Sequence, residues 1–95
     1  MWQYNYYADS SSLVYYLEDN PIIEIEENLF KLKHLKKFVA QVVPKEEFGK
    51  KRFTRYGSYD LLDNELTDDD LEVLKFKSLL RAKEFGWDVN VTDVS

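Results

Sequence analysis

The chain contains no cysteine, a single histidine, three glycines and two prolines. The missing cysteine excludes disulfides, thiolate metal sites and cysteine nucleophiles. The one histidine, His34, has no second imidazole to share a metal and no acid at an orienting spacing; it reads as a residue on a helix boundary. Three glycines are too few for a phosphate-cradling loop, and Gly57-Ser58 lacks the flanking glycines of a nucleophile elbow. No apolar run has the length of a membrane span or of a secretory leader. A soluble, cytoplasmic protein that does not engage membranes is therefore expected, and the sequon at Asn90 is set aside. The acids Asp60, Asp63, Glu65, Asp68, Asp69 and Asp70 lack the alternating spacing and central glycine of a calcium loop. No catalytic residue, metal or cofactor is expected.

The residues present describe one domain. Ninety-five residues with 44% apolar and 16% aromatic side chains can bury a modest core, well away from disordered composition. Charge is segregated along the chain: residues 1–30 carry −6, residues 31–55 carry +7 and residues 56–70 carry −6, leaving a net −5. Such blocks either neutralise one another across the folded surface or form fields that steer a charged partner.

The clearest element lies within Leu66 to Trp87. Thr67 is placed to cap a helix, with Asp70 in the capping-box position and Leu66 and Leu71 as a staple. Asp68, Asp69 and Asp70 complement the positive end of the dipole, and Gly86 followed by Trp87 supplies a left-handed stop. A helix over about 67–85 is expected. Leu71, Leu74, Ser78, Ala82 and Phe85 form one stripe at about 100° per residue. Val73, Phe76 and Leu80 form a second stripe roughly opposite. A helix apolar on two sides is either sandwiched within its own domain or docks a partner or a second copy along the Val73, Phe76 and Leu80 edge.

Elsewhere, Trp2, Tyr4 and Tyr6 alternate with Gln3, Asn5 and Tyr7, predicting a strand. Leu13 to Asp19 is ambiguous: Leu13 and Leu17 suit a short helix, Val14, Tyr15 and Tyr16 a strand, and the helix is preferred. Ile22 to Glu26 predicts a strand with Ile23 and Ile25 inward and Glu24 and Glu26 outward. From Asn28 the apolar positions Leu32, Leu35, Phe38, Val39, Val42 and Val43 predict a basic amphipathic helix over about 28–43, stopped by Pro44. Pro44 to Glu65 is long for a connector, with a strand conceivable at Lys51 to Tyr56. Trp87, Val89 and Val91 alternate as a closing strand. The expected fold is α+β: a small, mostly antiparallel sheet packed on one face by two main helices.

Two function classes follow. The first is a small acidic, aromatic-rich protein-binding module, an inhibitor or adaptor of the phage or mobile-element type, whose acidic residues Glu24, Glu26, Asp60 and Asp63 engage a basic protein such as a nucleic-acid enzyme. The second is a nucleic-acid or phosphate-ligand binder using the basic block 31–55. Its best surface is Lys51, Arg52, Arg55, Tyr56 and Tyr59, where cations meet phosphates and rings stack on bases. The flanking acidic blocks repel an anionic backbone, which favours the protein partner. A homodimer through Val73, Phe76 and Leu80 is a further expectation.

Overall fold

The computed structural model describes residues 1–6, 11–28, 31, 33, 35–47 and 65–94. Five strands and one helix are formed there: β1 (Trp2–Tyr6), β2 (Ser11–Leu17), β3 (Asn20–Glu27), β4 (Phe38–Val42), β5 (Glu65–Asp68) and α1 (Leu71–Glu84). Lys45–Glu47 add one 3-10 turn. The strands make a single antiparallel sheet in chain order, β1-β2-β3-β4-β5. The broad α+β expectation holds, with one helix among the described residues where two were expected.

Two of the corrections to secondary structure, at β2 and β4, have the same physical origin in tertiary partners. At β2, the aromatic and β-branched run Val14-Tyr15-Tyr16 outweighs the Leu13/Leu17 spacing, because it pairs on both sides, with β1 and β3. The turn into β3 is a two-residue hairpin whose central residues, Glu18 and Asp19, take φ of 52° and 67°. Two positive φ values are what the right-handed twist of a tight hairpin requires. At β4, Ala40, Gln41 and Val42 are all buried, as is Val43 just beyond, so the strand lies between two covered faces and shows no alternation. A strand of this kind cannot be separated from a buried helix by periodicity alone. Where a 28–43 helix is expected, Phe38–Val42 form β4, and the described residues of the connector before it are not helical. The connector is closed where the Asn28 N–H donates to the Lys37 carbonyl at 2.8 Å.

Pro21 sits beside an irregularity. Tyr15 faces Ile23 while Tyr16 faces Pro21, so Ile22 is an extra residue on β3. Bulges tolerate the missing N–H of proline, and the Ile22 carbonyl instead accepts from Val43 N at 2.9 Å.

One face of the sheet carries the core. Leu13, Tyr15, Ile23, Ile25, Ala40 and Val42 meet Leu74, Leu79 and Ala82 of α1, and Val89 beyond it. The segment after α1 is irregular, not the expected closing strand, yet its alternation is a true record of burial: Trp87, Val89 and Val91 turn inward while Asp88, Asn90 and Thr92 are exposed. It packs on the sheet by side chains without joining the ladder. Its anchor is Asp93, whose carbonyl accepts from Trp2 Nε1 at 2.7 Å and whose carboxylate accepts from the Tyr15 hydroxyl at 2.9 Å.

That anchor has a pH signature. Burial, reinforced by the hydrogen bond to Asp93 and its charge, pushes the Tyr15 phenol up to about 12. The protonated phenol is the form that the fold holds. Its contribution is complete below about pH 10, the unfolded value, and is lost as pH rises through about 12. Tyr15→Phe should therefore flatten the fall in stability between pH 10 and 12, measured by chemical denaturation across that range. An unchanged alkaline profile would place the transition on other groups.

Candidate functional site

Helix α1 is fixed at both ends, three residues later at its start than the Thr67 cap predicts. Asp70 is the cap: its Oδ1 accepts from Glu72 N at 2.9 Å and from Val73 N at 3.3 Å. Thr67 belongs to β5, where its hydroxyl accepts from Lys36 N at 2.6 Å and donates to the Phe38 carbonyl at 3.0 Å. A threonine hydroxyl serves a strand edge as readily as a helix start, and here the sheet claims it. At the other end the expected stop is present. Gly86 takes φ of 97°, Gly86 N donates to Lys83 O at 3.1 Å and Trp87 N to Ala82 O at 3.0 Å. These two bonds make a Schellman motif.

The inner face of the helix is close to the sheet because it is small in the middle. Ser78 and Ala82 are fully buried, and the Ser78 hydroxyl donates to the Leu74 carbonyl at 2.7 Å, so no polar atom is stranded there. Lys75 is buried beside them with its ammonium donating to Glu72 Oε1 at 3.1 Å and to Val94 O at 3.4 Å, and it lies over the Trp2 ring at 5.9 Å.

The opposite face is the candidate site. Val73, Phe76 and Leu80 are 41%, 43% and 39% exposed, spaced i, i+3, i+7 and turned away from Leu74, Ser78 and Ala82. They form an apolar stripe about 10 Å long at 1.5 Å per residue. Charged neighbours are engaged to its sides. Lys77 donates to Asp68 Oδ2 at 2.6 Å, and Arg81 Nε lies 3.5 Å from Glu84 Oε2. The Lys77 hydrogen bond, with a second from the Asp70 N–H, holds the Asp68 carboxyl below its ordinary range. The acidic triplet is thus used locally: Asp68 on Lys77, Asp69 on the Lys37 N–H at 3.0 Å, and Asp70 on the helix start.

The other expected sites are placed differently. Glu24 and Glu26 do face away from Ile23 and Ile25, but they are only 7% and 9% exposed. Ser12 Oγ donates to Glu24 Oε2 at 3.3 Å, and Ser12, Val14 and Gln41 are buried on the same face. An outward acidic surface on β3 is therefore corrected to a buried polar face. Alternation gives the side of the sheet on which a residue lies and says nothing of what covers that side. Asp60 and Asp63, the cluster Lys51, Arg52, Arg55, Tyr56 and Tyr59, and His34 all lie outside the described residues. Four lysines of the basic block, Lys31, Lys33, Lys36 and Lys37, line one open hollow together with Glu27 and Asp69.

Sequence reasoning did not single out the outer edge of β1. Tyr4 and Tyr6 are exposed there with their rings stacked at 6.1 Å. The signal was available: a strand of five residues, WQYNY, without one charged side chain. Among the described residues no helix is long and apolar enough to cross a membrane. Comparison with protein-family models, with curated proteins and with solved structures finds no match for this chain.

Proposed function

We propose that this chain is a protein-binding module, an adaptor or inhibitor that acts by occupying its partner and not by catalysis, and that it docks through the outer face of α1. The observation that carries the reading is the stripe Val73, Phe76 and Leu80, directed away from the domain's own core. Its i, i+3, i+7 spacing is the pattern by which an amphipathic helix enters an apolar groove. The first turn beside it carries the exposed acid Glu72, with the exposed Asp69 just ahead of the cap, and the chain has a net charge of −5. The partner that fits is a protein with an apolar groove and basic residues at one end of its rim, where opposite charge speeds encounter.

The second reading, a nucleic-acid or phosphate-ligand binder, draws on the lysine-lined hollow of residues 31–37. Glu27 and Asp69 on the same rim oppose an anion, which places this reading behind the first. Affinity capture from the source cell with wild type and with the Phe76→Glu/Leu80→Glu variant tests the first reading, and an oligonucleotide mobility shift at about 150 mM salt tests the second. A protein captured by wild type and lost from the double variant is the expected result, with no shift. Equal capture by both proteins, or an oligonucleotide shift at micromolar protein, would reverse the order.

A further inference from the structure

We infer that β1 is a self-recognition edge, at which a second copy of this chain pairs antiparallel to join two five-stranded sheets into one. The argument begins with the phase of the β1–β2 ladder. The Met1 amino group donates to the Tyr16 carbonyl at 2.9 Å and Tyr16 N donates to the Met1 carbonyl at 2.9 Å. Met1 and Tyr16 are therefore a hydrogen-bonded pair, and with the observed register so are Gln3–Val14 and Asn5–Ser12. The backbone groups of Trp2, Tyr4 and Tyr6 then point the other way, toward the outer edge, where no strand among the described residues meets them.

A second β1 satisfies those groups in one register. With Tyr4 facing Tyr4 of the second copy across a two-fold axis, Trp2 faces Tyr6 and Tyr6 faces Trp2. Every outward residue meets an outward residue, giving about six backbone hydrogen bonds, two for each facing pair. The same axis sets Trp2, Tyr4 and Tyr6 of both copies on one face as an aromatic ladder, and Gln3 opposite Asn5 on the other. No like charges are brought together, because β1 bears no charged side chain. Nor does it carry the devices that keep edge strands apart: it has no proline and no irregular register. The opposite edge is different in kind. β5 has four residues, and its last, Asp68, is held by Lys77.

The chain's lack of cysteine makes the register directly readable. Facing Cα atoms at the axis are about 5.5 Å apart, within disulfide reach, whereas the two copies of residue 6 are about 14 Å apart. Sedimentation velocity of the wild-type chain should show dimer at tens of micromolar, and Tyr4→Lys, which sets two ammonium groups across the axis, should be monomeric with an unchanged far-ultraviolet spectrum. Under mild oxidation Tyr4→Cys should cross-link at least tenfold more than Tyr6→Cys. Phe76→Glu should leave the dimer intact, which separates this edge from the helix stripe. A strict monomer up to several hundred micromolar, equal cross-linking of the two cysteine variants, or a dimer lost with Phe76→Glu but kept with Tyr4→Lys would each overturn the inference.

Discussion

Leu79→Ala is expected to destabilise the protein by about 3 kcal/mol, while Leu80→Ala, one residue on, should change stability by no more than about 0.5 kcal/mol. Leu79 is fully buried within the cluster that includes Ile23, Ile25 and Val42, and truncation there removes both transfer energy and packing around the void. Leu80 lies on the outer face with much of its surface already in water, so little is lost, and alanine is at least as good a helix former. Guanidinium denaturation of the two variants reads the orientation of α1 without any partner. Equal costs would mean that the helix is rotated from its described position or that its outer face is covered in solution.

Gly86→Val should cost about 2–3 kcal/mol, the second large effect, and for a reason unrelated to packing. At φ of 97°, a side chain strains the backbone, by about 1–2 kcal/mol for an ordinary residue and more for a β-branched one. Space is not the obstacle, since a Cβ at this position meets only the Lys45 side chain at 3.8 Å. The strain opposes the two Schellman bonds from Gly86 and Trp87, and with them the path that brings Trp87 Nε1 to the Val43 carbonyl. Gly86→Asn should recover much of the loss, because asparagine tolerates positive φ. Measured by thermal or chemical unfolding, a Gly86→Asn protein as unstable as Gly86→Val would point to the space around Lys45 instead of the dihedral.

Where the chain could be read in advance, local chemistry and tertiary structure agree. β1 and β3 alternate in sequence and are strands in the structure, and the Gly86-Trp87 stop stands where the helix ends. Where it could not, tertiary partners decide. Phe38 to Val42 is covered on both faces and carries no period, and β2 is a strand because two neighbours pair with it. The Glu18-Asp19 turn lacks the glycine that usually announces a tight hairpin, so its positive φ values were hidden. Thr67 and Asp70 both suit a helix cap, and only the pairing of β5 with β4 separates them. The two-sided character of α1 was legible as a pattern. The structure adds that Val73, Phe76 and Leu80 are the side left facing solvent. Glu24 and Glu26 show the converse, since their burial depends on what covers that face of the sheet.

The outer face of α1 is the centre of the functional reading, and one binding measurement addresses it. Calorimetric titration of the captured partner with wild type and with Phe76→Glu/Leu80→Glu should show affinity falling by a factor of about 100 or more. A loss of that size is about 2.7 kcal/mol, the scale of a central apolar anchor replaced by charge. Unfolding midpoints should stay close together, because neither side chain belongs to the core cluster. Affinities within about threefold of each other, with both proteins folded, would contradict the assignment of Val73, Phe76 and Leu80 as the docking face.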